Sequence, residues 1–125
     1  MVKFLIISLG AVLGANTRYW VADWAAQRFG ASFPYGTLII NLSGSLILGL
    51  FMAVFTSGRF LIDPNWRLLV AVGFLGSYTT FSTYTLESFN LMQSGQVWMG
   101  FLNLFGSSLL GGLAASIGMM LGRMI

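Results

Sequence analysis

Between Ser77 and Thr85 every residue except Phe81 carries a hydroxyl, in the order Ser77-Tyr78-Thr79-Thr80-Phe81-Ser82-Thr83-Tyr84-Thr85, and the run lies inside an apolar segment. In hydrocarbon each such group must find a partner, so this polarity needs a use. Asn41-Leu42-Ser43-Gly44-Ser45 interrupts another apolar run, where an amide such as that of Asn41 is costly unless it bonds a second helix or faces a watery path. Asn103 and Ser107 stand four residues apart, in line on one helical face. Glu87 lies about two turns beyond Phe81 and is the one acid well inside an apolar segment. An inventory of hydroxyls and amides with little buried charge suits partial dehydration of a small ion. Covalent chemistry has no comparable support: Cys and His are absent, which removes thiolates, the usual zinc sites and imidazole relays. There is also no nucleophile–base pair, phosphate loop or dinucleotide fingerprint, and we expect no enzyme.

The elements that must position these groups are membrane helices. The chain has 125 residues, 57% hydrophobic and 7% charged, too little polar surface to cover a soluble domain. Four apolar segments each approach the roughly 20 residues that cross a bilayer, which leaves residues 1–125 as a single four-helix domain. The expected helices are Lys3 to Arg28, Thr37 to Thr56, Asn65 to Gln93 and Val97 to Met124. Turns are expected at Gly30 to Gly36, at Asp63-Pro64 and at Ser94-Gly95. Lys3 followed by Phe4 to Ala15 resembles a signal peptide, but Leu13 occupies the outer small-residue position of that cleavage site, and a membrane helix is the preferred reading.

Helix three is too long for a minimal straight span. Gly73 and Gly76 remove side chains and Thr79, Thr80 and Thr83 add β-branching, predicting a break near Gly76 to Thr80. A break frees backbone carbonyls, which inside a membrane are tolerated when buried in protein or lining a cavity, where they can coordinate a cation. Gly10 and Gly14 form a small-xxx-small pair, and Gly106, Ser107, Gly111, Gly112, Ala115, Gly118 and Gly122 keep helix four slim, so close helix packing is expected. Trp20, Trp24, Trp66 and Trp98 mark interfaces. The basic residues are scattered singly beside apolar runs, which argues against nucleic acid as a partner and for membrane lipid. Lys3, Arg59, Arg67 and Arg123 fall on one side and Arg18 and Arg28 on the other, a difference small enough for insertion in both orientations.

The stretches Gly36-Thr37-Leu38-Ile39-Ile40-Asn41-Leu42 and Gly73-Phe74-Leu75-Gly76-Ser77-Tyr78-Thr79-Thr80-Phe81-Ser82-Thr83 closely resemble the Fluc/CrcB fluoride-channel family. The resemblance extends over the whole chain. It implies an all-α membrane protein of four transmembrane helices with a break in helix three, assembled as a dual-topology antiparallel homodimer in the bacterial inner membrane. It implies two pores that passively export fluoride from the cytoplasm, and a sodium ion at the dimer centre held by backbone carbonyls of Gly76 and Thr79. By the same resemblance Asn41 is a pore donor, Phe81 the first aromatic of a pair lining the anion path, Ser82 and Thr83 hydroxyls near that path, and Arg18 a vestibule residue. Two positions depart from the family's common pattern. Tyr84 stands where Phe is usual, and Asn103 stands where a pore Tyr is often found, so that Asn103 with Ser107 keeps a polar track without a ring. The rival function is a small proton-coupled drug or guanidinium exporter. Such exporters need an acid in helix one, and Phe4 to Thr17 contains none.

Overall fold

The computed structural model describes all 125 residues, and every regular element is helical. We number them α1 (Val2–Phe29), α2 (Tyr35–Thr56), α3 (64–78), α4 (Phe81–Gln93) and α5 (Val97–Met124). Helices α1, α2 and α5 are long and apolar enough to cross a membrane. Helices α3 and α4 form one interrupted segment between them. The short turns fall where the sequence places them: Gly30 and Gly95 adopt φ of 80° and 87°, a backbone that favours glycine, and Asp63 caps α3 by accepting from Asn65 N–H at 2.7 Å.

The large apolar side chains are distributed opposite to those of a soluble protein. Phe4, Leu5, Val12, Leu109, Leu113 and Met120 point outward, whereas the innermost apolar cluster is only Ile40, Leu75 and Tyr78. A surface that resembles lipid needs no burial, so the helices are joined by close backbone approach. Gly10 and Gly14 of α1 meet the α3 backbone at Leu69, Gly73 and Phe74. Gly49, Gly118 and Gly122 bring α2 and α5 together, and Gly100 of α5 lies against the Ser88 carbonyl and Met92 of α4. A methyl group at Gly118 would collide with the Leu46 carbonyl and reach within 2.9 Å of Leu50 N. Gly118→Ala is therefore expected to cost about 1–3 kcal/mol of stability, measured by unfolding in micelles; unchanged stability would contradict this close approach.

Several boundaries differ from expectation. α2 begins at Tyr35, two residues earlier than the sequence suggested, because Pro34 already acts as its N-cap. α1 reaches from Val2 to Phe29, one residue past the expected helix at each end, and the side chains of Asn16 and Thr17 within it return to the carbonyls of Val12 and Leu13 at 2.7 and 2.8 Å and so add no uncompensated polarity. The interruption of helix three is confined to Thr79 and Thr80, both extended, with ψ of 158° and 119°. Gly76 stays helical at φ −62° and ψ −30°. Two wide-turn stretches, Arg67–Leu75 and Leu102–Gly106, loosen α3 ahead of the break and α5 beside α4.

Candidate functional site

Four polar or small positions on one turn and a half of α2 hold the break open. Asn41 Oδ1 accepts from Thr80 N–H at 2.9 Å, and Asn41 Nδ2 donates to the Thr80 carbonyl at 3.0 Å. The amide thus replaces both helical partners of one peptide unit. Ser43 spends its hydrogen on the carbonyls of Ile39 and Ile40, so at 2.9 Å it is the Tyr78 hydroxyl that donates to Ser43 Oγ. Gly44 leaves the space that the Thr79 methyl and the Tyr78 ring occupy. Ser45 opens onto the cavity beyond.

The consequence for the backbone is specific. In a continuous helix Thr80 N–H would bond the Gly76 carbonyl and Thr83 N–H the Thr79 carbonyl. Here Thr80 N–H goes to Asn41, and Thr83 N–H goes to Thr80 Oγ1 at 3.2 Å. The carbonyls of Gly76 and Thr79 therefore lose their helical donors. Thr80 is at the same time the N-cap of α4, its Oγ1 donating to Thr83 Oγ1 at 2.8 Å.

Beside the break lies a cavity of about 440 Å³. Asn41, Thr79, Phe81, Tyr84 and Ser107 line it, together with Ser45 and with Ser108, which was not expected. Phe81 and Tyr84 meet edge to face, centroids 5.3 Å apart at 68°. Tyr84 is buried, whereas Phe81 is 77% exposed on the protomer. Most hydroxyl protons around this cavity are already committed. Ser108 donates to the Leu104 carbonyl, so the Tyr84 hydroxyl donates to Ser108 at 3.0 Å. Thr79 donates to the Leu75 carbonyl, and Ser107 to Asn103 Oδ1 at 3.1 Å. That leaves the second N–H of Asn41, the Ser45 hydroxyl and the positive edges of the rings as the donors facing the space. Ser45 was legible as part of the polar interruption of helix two, but its direction depends on the tilt of α2 against α5.

Other expected positions lie elsewhere. Asn103 sits behind the cavity wall, 1% exposed, donating to Ser88 Oγ at 2.9 Å; Ser88 in turn donates to the Tyr84 carbonyl at 2.7 Å. This network fixes the α4–α5 contact and the height of the Tyr84 ring. Ser82 and Thr83 lie on the exposed flank of α4, outside the cavity lining. Arg18 is half-exposed on α1, also outside it. Glu87 belongs to a second cavity, about 460 Å³, at the α1–α2 turn. Its Oε1 accepts from Thr37 Oγ1 at 2.9 Å, and its buried Oε2 has no protein partner.

No group of three or more His, Cys, Asp or Glu side chains is assembled anywhere. Neutral carbonyls without carboxylates fit a hard monovalent ion better than a divalent one.

Comparison with known proteins agrees in sequence with these features. Residues 5–119 match the family described as CrcB-like protein, Camphor Resistance (CrcB). A protein of Synechococcus named fluoride-specific ion channel FluC is 52% identical over 118 residues, covering 94% of this chain and 90% of its own. Proteins with the same name from Trichormus variabilis and Sulfurihydrogenibium are 48% and 43% identical, covering 96% and 100% of this chain and 88% and 100% of their own. A multi-pass helical membrane protein whose break, cap and α2 clamp fall on the matched residues, this chain belongs to the CrcB family.

Proposed function

We propose that the chain is the protomer of a passive, fluoride-selective channel that exports fluoride from the cytoplasm and so lowers its toxicity. The relatives' shared name, extending over nearly their full lengths, supports the ion. The observation that carries the reading is the cavity at the break, where a few donors and two aromatic rings meet without any fixed cation. Fluoride is small and strongly hydrated. Ring C–H edges, the Ser45 hydroxyl and the spare Asn41 N–H can replace part of its water, and the absence of a full positive charge lets it leave.

The working unit of this proposal is an antiparallel homodimer inserted in both orientations, with two pores. Phe81, Gly76, Ser82 and Thr83 are exposed on the isolated protomer, as residues facing a second copy would be. Carbonyls of Gly76 and Thr79 from each copy would hold a sodium ion at the two-fold axis, giving a neutral shell that a monovalent cation can occupy. Sodium would supply charge that fixes the two breaks against each other. Residues of this chain do the rest: Asn41 holds the break, Thr80 caps α4 and the Asn103–Ser88 pair sets the Tyr84 ring. Arg18 would draw anions toward a vestibule, and Ser107, at the cavity wall on α5, would extend the polar lining.

Purified protein in liposomes loaded with potassium fluoride is expected to release fluoride rapidly once a potassium ionophore removes the opposing voltage, with chloride far slower. A fluoride electrode follows the release. No release would end the channel reading, and release that requires a proton gradient would favour a coupled exporter.

A further inference from the structure

The basic residues at the C-terminal ends of α2 and α5 build a site that fluoride permeation does not use. These two helices run parallel, so both ends emerge on one side of the bundle, where a cavity of about 380 Å³ opens between them. Arg59 and Arg123 line it, with Met52, Ala53 and Met119 on the membrane side. Beneath, Gly122 packs closely on Leu50 and Ala53.

Neither guanidinium is engaged by Asp23, Asp63 or Glu87. Asp23 accepts from Gln27 on α1, Asp63 caps α3, and Glu87 accepts from Thr37 at the opposite end of the bundle. Thr56 and Ser57, which also border the cavity, spend their hydroxyl protons on the carbonyls of Met52 and Val54 at 2.8 Å each. The open donors are thus the two planar forks of arginine, a geometry matched to phosphate oxygens. Helix C-termini carry partial negative charge, about half a unit each, which one arginine per helix more than offsets. The cavity therefore remains net positive.

We propose that this cavity binds the headgroup phosphate of an anionic phospholipid between Arg59 and Arg123, the acyl chains lying outside along Met52 and Met119. With no carboxylate lining it, the cavity has nothing to receive a choline cation, so phosphatidylglycerol is preferred to phosphatidylcholine. The site is independent of fluoride permeation, and its test does not read flux.

Native mass spectrometry of the full-length protein, released from detergent with either lipid added, makes the test. Phosphatidylglycerol adducts are expected to survive activation that strips phosphatidylcholine. Arg59→Gln and Arg123→Gln should each lower occupancy about fivefold and together about thirtyfold. Arg59→Lys with Arg123→Lys, keeping the charge, should lose less. Lys3→Gln with Arg67→Gln, which removes two charges from the same membrane face outside the cavity, should leave occupancy unchanged. Equal retention of the two lipids, or equal loss in the two glutamine double variants, overturns the site. Displacement of the lipid by millimolar inorganic phosphate also overturns it, assigning the arginines to free anion instead.

Discussion

Asn41→Ala is expected to stop fluoride flux and to destabilise the protomer by roughly 2–4 kcal/mol, because it orphans both the N–H and the carbonyl of Thr80. The magnitude separates it from its neighbour. Ser43→Ala removes one acceptor from the Tyr78 hydroxyl, a loss of about 1 kcal/mol, and should leave flux largely intact. The asymmetry follows from what each residue touches: Ser43 steadies a side chain, while Asn41 substitutes for the backbone hydrogen bonds that an interrupted helix has forfeited. Flux assays and unfolding in micelles on the same two variants decide the matter. If Asn41→Ala conducts like the parent, the clamp is not what keeps the path open.

Phe81→Ile is expected to bring flux down to that of protein-free liposomes while leaving the fold unchanged. A ring that is 77% exposed contributes little to the protomer's packing, so the usual cost of truncating a buried aromatic does not apply. What is lost is the edge-to-face pair with Tyr84, centroids 5.3 Å apart. Isoleucine has similar bulk but no quadrupole. The oligomeric state, followed by cross-linking, should not change. Surviving flux with an intact assembly would remove the ring from the ion path.

The sequence placed the hydroxyl run, the broken helix and the close glycine contacts because each leaves a local mark. Eight hydroxyls in nine residues are visible without a neighbour. The cause of the break was less visible. Glycine at 76 lowers helix propensity, but Gly76 remains helical and the chain yields at Thr79 and Thr80 instead, where α2 offers replacement partners. Propensity says where a helix is weak; a partner 39 residues away decides where it opens. The same limit explains Asn103. Its spacing from Ser107 put the two side chains in line, and they bond, yet the face it presents depends on how α4 sits against Gly100, which draws its amide to Ser88 and away from the cavity. The wide turns at Arg67–Leu75 and Leu102–Gly106 left no sequence mark, since they arise from packing.

The most direct test of a passive fluoride path is the reversal potential of current through the purified protein in a planar bilayer, with a fluoride gradient opposed to a chloride gradient and equal pH on both sides. The current is predicted to reverse at the fluoride equilibrium potential and to stay there when a pH gradient is imposed. Reversal at the chloride potential, or a shift that follows the proton gradient, would contradict the account.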